Sequence, residues 1–181
     1  MNTPTGNKLS SLISLLDESP RVYLAGKIRK HCWRHTLVSG LRDHHWTYGP
    51  LNQDDFLYIG PFFVSCDHGC YHQPNKHGNG VGCTPDLDTT QKSVASLCLK
   101  AIDEADLVFC YVDAKDCYGT IAEIGYAHAR KKRIVIALAP EVTHIKGNDF
   151  WFACTFAYKL HWDVCMCQLQ TLFTQTLREL P

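Results

Sequence analysis

ADLVFCYVDAKDCYGTIAEIGYAHARKKRIVIALA, residues 105–139, is the stretch that decides the fold. Leu107 to Val112 is an unbroken apolar run with the length of one buried strand, and Gly119-Thr120 supply a tight turn and a helix cap. A helix over Thr120 to Lys131 and a second apolar strand over Ile134 to Ala139 follow. Strand, helix and strand in that order make one parallel βαβ unit. Glu123 then falls in the first helical turn, where unpaired backbone N–H groups and the helix dipole favour an ionised carboxylate, the state a nucleophile needs. The same Thr-x-x-Glu spacing also fits a capping box in which Glu123 only closes the helix start. Spacing leaves both readings open.

Toward the N-terminus, Arg21-Val22-Tyr23-Leu24-Ala25 reads as a strand that ends in Gly26-Lys27. A strand followed at once by glycine is how an open parallel sheet presents a polar crevice at its carboxyl edge. A helical stretch is expected around Trp33 to Leu41, then a short strand at Trp46-Thr47-Tyr48 and a turn at Gly49-Pro50. Thr84-Pro85 opens a further helix whose Val94, Leu97, Cys98, Ala101, Ile102 and Ala105 repeat at three and four. Leu12, Ile13, Leu15 and Leu16 predict a short N-terminal helix, and Leu169, Leu172, Phe173, Thr176, Leu177 and Leu180 an amphipathic closing one. The expected fold class is α/β: a three-layer sandwich with a flavodoxin-like parallel sheet. Residues 1–181 are expected to form a single domain, with residues 49–83, rich in Gly, Pro, Asn, His and Cys, as an insertion.

Composition narrows the function classes. Lysine plus arginine equal aspartate plus glutamate, 18 each, and the basic clusters at Lys27 to His31 and Arg130 to Arg133 are too short for a broad nucleic-acid face. Nucleic acid is therefore not an expected partner. No apolar run reaches membrane-span length and the N-terminus lacks a signal pattern, so a soluble, cytoplasmic protein with no membrane partner is expected. Ten cysteines in a full-sized domain point to reduced thiols or a metal rather than a disulfide framework. Cys32, Cys110 and Cys154 read as buried small apolar residues, and Cys165-x-Cys167 is too isolated for a ligand pair.

Cys66-Asp67-His68-Gly69-Cys70-Tyr71-His72, with His77 and Cys83, gathers six Cys or His side chains in eighteen residues. Cys66, Cys70, His72 or His77, and Cys83 can close a tetrahedral structural zinc site. The other reading is a lid whose His and Asp side chains meet substrate without metal. Both stand.

Val22-Tyr23-Leu24-Ala25-Gly26 and Asp116-Cys117-Tyr118-Gly119-Thr120-Ile121-Ala122-Glu123-Ile124-Gly125-Tyr126-Ala127 together resemble the nucleoside 2-deoxyribosyltransferase family, over roughly residues 21 to 139. The resemblance implies cleavage or transfer at the N-glycosidic bond of a nucleoside or nucleotide. Glu123 would attack the anomeric carbon and Tyr23 would orient it. The substrate would lie over Gly26 and Gly119, with Thr120 capping the helix, Asp113 or Asp116 at the sugar, and Asn148 reaching the crevice or a neighbouring subunit's site. Gly125 would allow close helix packing. The family's acid on the preceding helix falls near Cys98 here, on that helix's apolar face, and Asp116 stands one position further from Gly119 than the family's acid does. A homo-oligomer is implied, and no organic cofactor. A non-catalytic module binding a nucleotide derivative, and a zinc-stabilised interaction protein, are the alternatives. Arg34 is expected either at a phosphate or base or on a helix surface, and His128, five residues beyond Glu123, away from the site.

Overall fold

Side chains along Arg21–Ala25 (β1) alternate between two apolar cores, Val22 and Leu24 to one side and Tyr23 and Ala25 to the other, which makes this strand the centre of a layered molecule. The computed structural model describes residues 19–28, 32–42, 44, 49–61, 91–143 and 150–181. The other strands are β2 (Leu51–Asn52), β3 (Leu57–Gly60), β4 (Leu107–Val112), β5 (Arg133–Leu138) and β6 (Lys159–His161), in the order β2-β3-β1-β4-β5-β6. All neighbours are parallel except the β2–β3 edge hairpin. Every residue of β4 is buried, as a parallel strand covered on both faces requires.

One face carries α1 (Arg34–Leu37) and α6 (Met166–Arg178), whose Leu169 and Phe173 join Val22, Leu24, Phe109 and Val135 in a single cluster. The opposite face carries α2 (Gln91–Glu104), α3 (Tyr118–Ala129), α4 (Pro140–Thr143) and α5 (Trp151–Cys154), with Ile102, Ile124, Val142 and Ala153 packed on Tyr23, Val108, Cys110 and Ile136. These are the three layers expected. From β1 the chain passes to β3 on one side and returns to β4 on the other, so the strand order reverses between β1 and β4. In an open parallel sheet that switch point opens a crevice at the carboxyl ends of the strands.

Three expectations change. The segment taken as an insertion from residue 49 instead begins with β2 and β3, and β3 pairs directly with β1; strands of two and four residues are too short to show a period. β6 was not anticipated, because a three-residue Lys-Leu-His edge carries no pattern either. Cys165 and Cys167 are joined by a disulfide, while Cys32, Cys98, Cys110, Cys117 and Cys154 are free, and Cys154 is only half-buried. The N-terminal apolar segment, Trp46-Thr47-Tyr48 and Thr84-Pro85 lie outside the described residues. Among the described residues no helix is long and apolar enough to cross a membrane.

Candidate active site

α3 starts at Tyr118 with Cys117 as its N-cap, so Glu123 is the sixth helical residue and sits one turn deeper than the sequence reading placed it. Thr120 is inside the helix and 3% exposed rather than capping it, and the first turn holds no acid. The capping box is therefore absent. Glu123 instead faces the sheet, where its Oε1 accepts a 2.6 Å hydrogen bond from the Tyr23 hydroxyl, a residue 100 positions earlier.

Tyr23 is completely buried, and its ring lies against Gly60 at the end of β3. A Cβ on Gly60 would fall 3.2 Å from Tyr23 Cε2, and the φ of +143° at Gly60 is one that L side chains rarely adopt. Glycine avoids the backbone strain that this φ would impose on a side chain and leaves room for the Tyr23 ring. The Tyr23 hydroxyl is held well above its ordinary titration range by burial and by the charge of Glu123, so it stays a donor.

Burial pushes the Glu123 carboxyl up to about 7, against the opposing pull of the Tyr23 hydrogen bond and the Arg34 charge. The expectation of a carboxylate held ionised by the helix start is corrected: with Glu123 past the first turn, desolvation outweighs the dipole, which acts only over that turn. The group is poised to change charge near neutrality.

Cys98 reaches the same spot from α2, in hydrogen-bond contact with Tyr23, and its thiol is raised to about 11 by burial and by Glu123. Its position was legible by counting back along the helix; its contact with a polar pair, from an apolar face, was not. Cys110 on β4 is also raised, by burial first and then Glu123. α2 and α3 are clasped at the other end by Asp103, which accepts from Tyr126 Oη at 2.9 Å and Arg130 Nε at 2.6 Å.

Arg34 meets neither expectation. It is completely buried, with Nε donating to Leu24 O at 2.7 Å, Nη2 to Gly26 O at 2.7 Å and Nη1 toward Cys32 Sγ at 2.8 Å and Lys27 O at 3.5 Å. Gly26 packs tightly at the end of β1: a Cβ there would lie 2.8 Å from Tyr111 O and 2.9 Å from Trp33 Nε1. Lys27 ion-pairs with Asp116 across the loops after β1 and β4. Asp113, just after β4, is half-buried. Gly119 has open space where a side chain would stand. So does Gly125, which removes the close-packing role expected of it. His128 stacks on Phe156 at 4.1 Å, away from Glu123. Asn148, Cys66, Cys70, His72, His77 and Cys83 lie outside the described residues; among the described residues no cluster of three or more His, Cys, Asp or Glu could hold a metal. Cys98, Gly60 and Arg34 join the site from outside the expected set.

The family described as nucleoside 2-deoxyribosyltransferase like matches residues 19–141, about two thirds of the chain, and the match contains every strand and helix that contributes to the Tyr23–Glu123 pair. No curated protein matches the chain.

Proposed function

The chain belongs to the nucleoside 2-deoxyribosyltransferase-like family, and we propose that it cleaves or transfers at the N-glycosidic bond of a nucleoside or nucleotide with Glu123 as nucleophile. The observation behind this reading is the 2.6 Å bond from buried Tyr23 to Glu123 at the switch point of the sheet. A Glu123 oxygen bonds to the anomeric carbon as the C–N bond breaks, and the base departs with that electron pair and takes up a proton. Water or a second base then attacks the same carbon and returns Glu123 as a carboxylate. Positive charge builds on the sugar in the transition state, so an anionic carboxylate on one face lowers the barrier before it bonds. Gly26, Asp113, Gly119, Thr120 and Asn148 are the proposed substrate contacts; Asp116, tied to Lys27, joins them only if that ion pair opens.

Attack requires the ionised form, so turnover rises with pH through about 7. The test is chromatographic detection of free base after incubation with ribo- and 2-deoxyribonucleosides, their 5′-monophosphates and NAD, for the wild type and Glu123→Ala. Base release by the wild type alone supports the reading. A second reading, a binding module without turnover, draws on Cys98 occupying the place of the family's acid. Saturable binding without product, unchanged by Glu123→Gln, would favour it.

A further inference from the structure

Arg34 is the largest fully buried side chain of the described residues, and no carboxylate pairs with it among them. A buried guanidinium is costly unless its donors are satisfied, and here they are spent on the carbonyls of Leu24, Gly26 and Lys27, the residues that turn the chain out of β1 beyond Tyr23. Its plane also lies 4.7 Å over the Trp33 ring, and the indole Nε1, buried without a hydrogen-bond partner, fills the space a Gly26 side chain would need. Trp33 and Arg34 thus close on the loop from two directions.

We propose that Arg34 is a positioning residue for the glycosidic reaction: it pins the end of β1 that carries Tyr23, the donor to Glu123, and the fixed charge it brings to the carboxyl edge of the sheet favours an ionised carboxylate there. This rests on the function proposed above for its catalytic meaning, while its physical content does not. Among the described residues five groups feel the Glu123 charge: Tyr23 from β1, which also hydrogen-bonds it, Tyr58 from β3, Cys98 from α2, Cys110 from β4 and Arg34 from α1. Arg34 alone of these is a cation. Although burial opposes its charge, the Cys32 hydrogen bond and charge interactions with Cys32, Tyr58 and Glu123 hold its titration above the ordinary arginine value. Without it, the groups acting on the carboxylate among the described residues would be neutral at pH 7, and of them only one donor, Tyr23, would favour its charge.

The test follows the Glu123 carboxyl itself, by NMR titration of the full chain labelled with carboxyl-13C glutamate, its signal assigned by Glu123→Gln. Arg34→Met should move the midpoint upward by about one pH unit or more. Arg34→Lys, which keeps the charge but cannot span the carbonyls, should move it by less than about half a unit while shifting the amide resonances of Gly26 to Ile28. An unchanged midpoint in folded Arg34→Met overturns the electrostatic role. Should that variant fail to fold, Arg34→Lys decides, and unperturbed Gly26 to Ile28 resonances overturn the clamp. If the wild type turns over substrate, the acidic limb of kcat/KM shifts with the midpoint. Titrations that move as expected in a protein without turnover would sink the proposed function and leave this inference standing.

Discussion

Two tyrosine–carboxylate pairs brace the α2–α3 face, and they titrate in opposite directions. Tyr23 donates to Glu123 at 2.6 Å and Tyr126 donates to Asp103 at 2.9 Å. Glu123 is nevertheless pushed up to about 7, by burial above all, while Asp103 is held below its ordinary value: burial is the largest single influence there too and raises it, but the Tyr126 hydroxyl, Arg130 and Lys132 together outweigh it. A hydroxyl donor favours the ionised form in both places, so the hydrogen bond cannot be the cause of the difference. Position is. Asp103 lies in the last turn of α2 at the rim, where Arg130 reaches its carboxylate and Lys132 its backbone carbonyl; Glu123 sits over the sheet, hydrogen-bonded to a phenol, beside thiols and under the charge of one buried guanidinium. The first pair fastens two helices, and the second keeps a carboxyl chemically undecided.

Replacing the acid at each end gives the largest contrast. Glu123→Gln should lower base release by at least about 10³-fold, measured chromatographically, because the amide cannot form the glycosyl ester. Turnover like the wild type would erase the distinction between the pairs. Next comes stability against pH. The Glu123 midpoint near 7 lies above the ordinary 4.5, so between these values the folded chain holds a proton that the unfolded chain has lost. Its contribution is therefore full below about 4.5 and declines as pH rises through 7, by up to about 3 kcal/mol. Urea unfolding at pH 5 and pH 8 measures this, and Glu123→Gln should flatten the slope.

A smaller effect is expected of Tyr23→Phe, which removes the only side chain among the described residues that is hydrogen-bonded to Glu123. It should cost about 10- to 100-fold in kcat and carry the acidic limb of the rate profile to higher pH. An unmoved limb would mean that the phenol does not act on the carboxylate. The smallest belongs to Asp103→Asn, expected to leave turnover within about twofold and lower Tm by no more than about 4 °C, as exposed ion pairs do. Its pH sign is the reverse of the other: Asp103 is held below its ordinary 3.8, so its contribution is present above that value and lost as pH falls through the folded midpoint. Equal losses of turnover from Asp103→Asn and Tyr23→Phe would merge the two regions into one unit.

What could be read beforehand follows the reach of each signal. β4, α3 and β5 were placed within two residues because six-residue apolar runs and a glycine-marked turn are local. β2, β3 and β6 were not, since strands of two to four residues take their conformation from the neighbours they pair with. Tyr23 and Glu123 were legible as a pair from the family motif, and their hydrogen bond is there. The charge state of Glu123 was not legible because a helix start is local, whereas burial against the sheet beside Tyr23 is a tertiary fact. Arg34 was misjudged for a related reason: a cation on a short helix reads as surface until the carbonyls that receive it are seen.

The bond between Tyr23 and Glu123 closes a stretch of 100 residues. During synthesis the tyrosine leaves the ribosome long before its glutamate has been translated, and the helix carrying that glutamate has no docking surface until β4 lies beside β1. Any truncation product ending ahead of α3 lacks Glu123 altogether. A chain-length series read by the activity proposed above would therefore report completed assembly of the parallel sheet, and before that point the two halves of the site exist only as separate stretches of sequence.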